Sequence, residues 1–321
     1  VGKLIVVKNH NVETGYVASL SLSLSLLVKD ESQTLGGCSL WWGNTPSLPG
    51  HRLGFIGHYN VHHKEAATCL LKHACQELAS QGCTMVIAPV DGSTWQNYRL
   101  LTERGDYPVF FLEPNNPDDW QQHFTDEGFT PIAHYSSSLN KDLTQVDSRL
   151  LRVRERLEKT GVSIRSVNLQ DFEKELQRIY TVALESFHNN FLFSPIDEAE
   201  FIAQYFPLLP YVQPELVLIA EHEDNPVGFI FAIPDYLEKE REKNIKTIII
   251  KTVAILPGRI YAGLGNLLVA QCQDIARELG YSQAIHALMH DDNPSLNLSG
   301  HYAQRIRRYA VFGKKLLVSE L

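Results

Sequence analysis

The feature that most restricts this chain is one unbroken passage, "IKTIIIKTVAILPGRIYAGLGNLLVAQCQDIARELGY", residues 245–281. It opens as a long apolar, β-branched run, the composition of a buried strand. Pro257 and Gly258 stop that run. Apolar residues then return at helical spacing (Leu264, Leu267, Leu268, Cys272, Ile275 and Leu279) and define one face of a helix that begins near Gly263 and packs on the sheet. Gly263 and Gly265 either shape a tight turn or let a ligand lie against bare backbone. The helix start offers an anion unpaired N–H groups with partial positive charge; Arg259 adds a full charge and Asn266 a polar side chain. A dinucleotide fingerprint would need a third glycine and a later acidic residue, and a triphosphate loop would need Gly-Lys-Ser/Thr; the spacing here fits neither.

The rest of the chain supplies the sheet. "ASLSLSLSLLV" (residues 18–28) alternates Ser and Leu, which makes it a strand with one polar face and too short to span a membrane as a helix. "GGCSLWWGN" and "RLGFIGHYNV" read as strands. "HKEAATCLLKHACQELASQG" reads as a helix stopped by Gly82, and "CTMVIAPV" as a buried strand. "DGSTWQNYRLL" is expected to start a helix capped by Asp91 or Ser93, and "EPNNPDDWQQHF" to start another at Pro117. "TPIAHYSSSL" is the expected closing strand of this half. After a charged helical connector the order starts again, ending in "SQAIHALM", a helix over "NPSLNLSGHY", and the strand "RIRRYAVF". The two halves repeat a strand–loop–helix–strand pattern without repeating residues. The chain divides into residues 1–142, a connector at 143–161, and residues 162–321.

Composition narrows the function. The 321 residues are 44% apolar and 21% charged, as in a globular protein of two ordinary domains. A net charge of -8 argues against a nucleic-acid binder. The five cysteines, Cys38, Cys69, Cys75, Cys83 and Cys272, have no metal-like spacing and read as reduced thiols in a cytoplasmic protein with no metal and no visible signal peptide.

With these residues in view, the second half resembles the GCN5-related N-acetyltransferases, or GNAT superfamily, over residues 162–315. Their signature is a strand, a Q/R-x-x-G-x-G/A loop and a helix, matched here by Ile260-Tyr261-Ala262-Gly263-Leu264-Gly265. The departure is Ile260, which stands where Gln or Arg is usual, with Arg259 one residue early. The first half is similar but opens its helix with His62, His63 and Lys64 in place of the glycine loop. The whole is similar to tandem members with a degenerate N-terminal copy: an α/β (α+β) fold of two acyl-CoA N-acyltransferase domains, each a mixed, mostly antiparallel sheet flanked by helices.

The resemblance implies acetyl-CoA, or another acyl-CoA, as cofactor, with a small-molecule or protein amine as acceptor. It implies that residues 252–256 splay from the neighbouring strand. Val253 and Ile255 would meet the pantetheine arm with their backbone; Arg259, Ala262, Gly263, Leu264, Gly265 and Asn266 would surround the phosphates, and Asn293 would touch the cofactor. His188, Asn189, Asn190 and Phe193, between two helices, would wall the acceptor pocket. Direct acyl transfer needs no covalent intermediate. Tyr302, with Tyr309 in reserve, is the candidate proton donor to the departing thiolate. His286 is the candidate base, with His290 near the end of the same strand or a water relay in place of a dedicated base as the others; Glu221 and Asp235 are other possible acids near the acceptor channel. Trp95 and Trp120 lie in loops that either face the second half as a binding surface or are structural. Two other readings are a silent acyl-CoA-binding module and a relative of the aminoacyl-tRNA-dependent peptidyltransferases.

Overall fold

The computed structural model describes residues 4–9, 22–145, 147–292 and 303–316. The first half runs β1 (Ile5–Asn9), β2 (Leu24–Lys29), β3 (Thr34–Trp41), β4 (Leu53–Val61), α1 (Lys64–Ser80), β5 (Met85–Ala88), β6 (Leu100–Glu103), α2 (Trp120–Asp126) and β7 (Thr130–Asn140). The connector is α3 (Arg149–Lys159). The second half runs β8 (Val162–Ser166), α4 (Phe172–Phe187), α5 (Glu198–Tyr205), β9 (Val217–His222), β10 (Asn225–Pro234), α6 (Glu238–Arg241), β11 (Thr247–Ile255), α7 (Leu264–Glu278), β12 (Gln283–His290) and β13 (Ala303–Lys315). No described helix is long and apolar enough to cross a membrane.

Among the described residues the strands form one sheet in the order β1-β2-β3-β4-β5-β13-β7-β12-β11-β10-β9-β8, with β6 paired to β13. Pairing is antiparallel except between β4 and β5 and between β11 and β12. Each of those parallel pairs is bridged by one helix, α1 or α7, as a parallel crossover requires. The expected mixed sheets flanked by helices are both present, and they are joined through their closing strands. β7, from the first half, pairs with β12, and β13, from the end of the second, pairs with β5. β7 and β13 pair with each other at the centre.

Alternation along the strands divides the second half into two cores. Leu218, Ala220, Ile230, Ile248 and Ile250 turn to α7, where Leu264, Leu267, Leu268 and Cys272 meet them. Val217, Ile219, Phe229 and Ala254 turn to α4 and α5. α1 covers the first half in the same manner with Ala67, Leu70, Leu71 and Leu78.

The helix expected after Asp91 does not form; residues 91–99 are bends and turns leading to β6. The reason is tertiary. The Asp91 carboxylate accepts the His58 N–H at 2.6 Å instead of capping a helix. The Trp95 indole N–H reaches across to the Ser194 carbonyl at 2.8 Å, and its ring packs on Phe187 and Phe201. The helix expected over residues 293–302 falls outside the described residues.

A candidate active site at the parting of two strands

β11 and β12 run parallel in register from Thr247 and Gln283 to Ile250 and His286, and no further pairing links them. Both strands carry an irregularity where they part. On β11, Phe231 of β10 faces Thr252 and Ala232 faces Ile250, which leaves Lys251 as the extra residue of a bulge. Its signature is that Ile250 and Val253 both pack toward α7 although three residues apart. On β12 the register against β7 shifts between His286 and Met289, and Leu288 takes a φ of 59°. The Leu288 N–H donates to Ser137 Oγ at 3.0 Å, and its carbonyl accepts from Arg99 at 2.9 Å.

Beyond the bulge one edge of β11 is open. Leu256 N–H bonds to Val227 O on the β10 side at 2.8 Å. Strand alternation therefore turns the N–H groups of Val253 and Ile255 away from β10; that of Ile255 donates to Ser186 Oγ of α4 at 3.2 Å.

The loop from this edge into α7 has the form an anion needs. A short 3-10 turn, Arg259–Tyr261, is followed by Gly263 with φ 81° as the helix N-cap, and no side chain caps the helix. Glycine is required at 263 twice over: the backbone is left-handed, and a Cβ there would lie 3.0 Å from the Val153 side chain. The amides of Leu264, Gly265 and Asn266 precede the first intrahelical bond, Leu267 N–H to Gly263 O at 3.0 Å. Gly265 faces Val253 and Ile255 with room for no more than ordinary contact. Arg259, Ala262 and Asn266 are exposed; Leu264 is buried in the core. Ile260 is 43% exposed, and the nearby cation that sequence reasoning missed comes from the connector. Arg156 of α3 donates to the Ala262 carbonyl. These residues fit a phosphate-bearing ligand at the α7 start.

Beside the gap, on the α4 and α5 side, lies an apolar cavity of roughly 530 Å³ counted to its open mouth. Its walls include Phe172, Phe201, Tyr205, Phe229 and Phe231, with Thr252 from β11 and Trp95 from the first half. Trp95 is thus both structural and part of a surface facing the second half. His188, Asn189 and Asn190 are exposed and do not line this cavity; Phe193 packs edge-on against the Trp95 ring. Trp120 donates to the Val61 carbonyl within the first half.

The described acid and base candidates are not among the cavity walls. Tyr309 is fully buried on β13, donates to Glu113 at 2.7 Å and meets Ser137 at 3.1 Å. Burial, then the Glu113 charge, pushes its phenol up. Ser137 Oγ links it to the gap, since the Leu288 N–H donates to the same atom. His286 is buried facing α7, with Nε2 3.0 Å from the Gln273 amide, and burial lowers its pKa to about 4. The Nδ1 of His290 accepts the Asp292 N–H at 3.1 Å. Glu221 is held by Arg165 and Arg178 at 2.8 and 2.7 Å. Asp235 accepts the Phe111 N–H at 2.8 Å. Tyr302 and Asn293 lie outside the described residues. No cluster of His, Cys, Asp and Glu among the described residues could hold a metal ion.

The first half repeats this arrangement with the gap closed. Past the last β4–β5 pair, Val90 N–H still donates to Ile56 O at 2.9 Å. Gly57 lies so close that a Cβ would stand 2.1 Å from the Val90 carbonyl. Instead of a glycine N-cap, α1 begins after His63, with Glu65 in its first turn.

A sheet parted beside a crossover helix whose N-terminus is bare is the arrangement of a GNAT-like fold. Residues 176–299 match the model of the acetyltransferase (GNAT) family. Protein YghO of Escherichia coli (strain K12) is 27% identical over 172 residues, 52% of this chain and 43% of that protein, so the match spans less than half of the relative's length. Among solved structures, the GCN5-related glucosamine N-acetyltransferase region of a fungal multi-domain GH3 β-N-acetylglucosaminidase aligns with a TM-score of 0.55 and 12% identity, over 98% of this chain and 38% of that one. A GCN5-related N-acetyltransferase from Sphaerobacter thermophilus aligns at 0.51 and 12%, over 91% and 80%. A tandem GNAT protein from the clavulanic acid biosynthesis pathway aligns at 0.50 and 12%, over 92% and 84%. At these identities the likeness is one of fold.

Proposed function

We propose that the protein is an acyl-CoA-dependent N-acyltransferase that moves an acetyl group from acetyl-CoA to an amine, working in the cytoplasm. The observation that carries this reading is the conjunction of an open β11 edge with an uncapped α7 start in one strand–loop–helix unit. The first-turn amides of Leu264, Gly265 and Asn266, with Arg259 and Arg156 beside them, would hold the phosphates. The backbone of Val253 and Ile255 would receive the pantetheine arm. When bound, acyl-CoA supplies the acyl group as a thioester. The amine's lone pair forms the C–N bond as the C–S bond breaks, and the proton lost by nitrogen is balanced by one taken up at sulfur. Tyr302 remains our candidate for that second proton. Tyr309, donating inward to Glu113, instead props the β12 bulge through Ser137.

The test is calorimetric titration of the full chain with acetyl-CoA, followed by assay of free thiol on adding amines. One site per chain is expected, since the first half has no gap. Binding at a hundred times the dissociation constant should also stabilise the protein by about 2.7 kcal/mol. Absence of both binding heat and a thermal shift would overturn the assignment.

A further inference from the structure

Lys251 is an anomaly on physical grounds. It is the one charge in the β11 run "TIIIKTVAI", and a charge brought among apolar side chains normally finds a counter-ion. Among the described residues its ammonium donates to a neutral group, the Leu112 carbonyl, at 3.1 Å. A second cation stands near it. Arg99 donates to the Leu288 carbonyl and lies over the rings of Tyr98 and Tyr135 at 3.9 and 4.2 Å. The carboxylate close enough to matter, Glu113, is already occupied. One oxygen accepts from Arg307 and Tyr309, each at 2.7 Å, and the other accepts the Phe110 N–H at 3.1 Å. Among the described residues neither Lys251 nor Arg99 forms an ion pair, so three cations share one carboxylate. Desolvation, with the Arg99 charge next, draws the Lys251 pKa down to about 8, the strain of a cation that lacks an anion.

The position of this charge gives it meaning. Lys251 is the bulged residue where β11 leaves β12, and Arg99 holds the carbonyl of Leu288 in the matching irregularity of β12. Thr252 and its cross-strand partner Phe231 line the aromatic cavity, as does Trp95, four residues before Arg99. Neither cation lines the cavity itself, but their positive charge is carried one residue along β11 from Thr252 and four residues along the chain from Trp95, beside an apolar, ring-lined space. The ligand that satisfies both is an organic anion with a bulky apolar group.

We infer that Lys251 and Arg99 form a carboxylate seat beside the aromatic cavity, and that the acceptor is a free α-amino acid with a large apolar side chain. The second clause rests on the acyl-transfer reading above: the amino acid's nitrogen is the nucleophile, and its carboxylate is unchanged in the product.

The seat is tested without catalysis by titrating the full chain with 3-phenylpropanoate, which has no amine to acylate, and with uncharged 3-phenylpropan-1-ol. The acid should bind at least tenfold more tightly. Lys251→Met should remove that preference and Lys251→Arg keep it. Equal binding of acid and alcohol by the unmodified protein overturns the seat, and this comparison needs no variant to fold. Acyl transfer is then read as thiol release from acetyl-CoA with L-phenylalanine, 2-phenylethylamine and glycine. L-Phenylalanine should exceed both others at least tenfold in kcat/KM. Preference for the acid with no thiol release from any amine would leave the seat standing and overturn the acceptor assignment. Equal turnover of L-phenylalanine and 2-phenylethylamine would leave acyl transfer standing and overturn the inference.

Discussion

His286 shows how one buried side chain couples stability to pH. Burial holds its imidazole neutral in the folded protein, with a pKa of about 4 against 6.5 for the free residue. Between those values the unfolded chain binds the extra proton. The stabilisation is complete above pH 6.5 and is lost as pH falls toward 4. From pH 7 to pH 5 the loss should be about 2 kcal/mol by this linkage. Denaturant titrations of the wild type and His286→Gln at the two pH values would measure it. The variant should lose less stability over that interval, and an equal loss would contradict the burial argument. At this scale the sequence was legible where a residue answers to its own backbone: Gly263 could be read as a special position because left-handed geometry is a local demand. Lys251 passed unmarked within an apolar run, because its bulge depends on registers with β10 and β12 that no local pattern records.

α7 is the element on which the cofactor assignment turns, and it allows a test that separates binding from folding. Replacing Gly263 would confound the two, because any side chain there meets Val153 and the left-handed backbone together. Asn266 is exposed in the first turn. A carboxylate there meets the positive end of the helix and should leave stability unchanged or raise it by roughly 0.3–1 kcal/mol. The same carboxylate repels phosphate. Asn266→Glu should therefore weaken acetyl-CoA binding at least tenfold by calorimetry while the melting temperature holds. Unchanged affinity would place the phosphates elsewhere. The bounds of α7 followed from its apolar spacing because the helix and its signal are both local. The helix expected at Asp91 failed for the opposite reason. The cap residue found its partner in His58, thirty-three positions away, and Trp95 was drawn to a carbonyl in the other half.

Across the whole molecule, the exchange of β7 and β13 makes the two halves one cooperative unit. Phe312 lies on the final strand, yet it is fully buried in the core of the first half and stacks on Phe124. Phe312→Ala should cost about 3–5 kcal/mol. All four tryptophans, Trp41, Trp42, Trp95 and Trp120, belong to the first half. Trp95 also packs on Phe187 and Phe201 of the second half, so a Trp95→Phe background makes fluorescence weigh the first half, while far-ultraviolet circular dichroism reports both. The two melting curves should coincide and shift together in the variant; two separate transitions would show independent halves. The tandem organisation was readable because each half repeats its strand and helix periods. The exchange was not, because "TPIAHYSSSL" and "RIRRYAVF" read equally well as strands wherever they pair.

That exchange also has a consequence during synthesis. Every described partner of β7 lies later in the chain, and β5 waits for β13 to fill its open side. With elongation at 5–20 residues per second, the interval between the emergence of β7 and of β13 lasts on the order of ten seconds. Throughout it the nascent first half presents unpaired strand edges, the template on which neighbouring chains add. Yield in the cell should then depend less on the finished protein's stability than on how well those edges are shielded while the ribosome completes the second half.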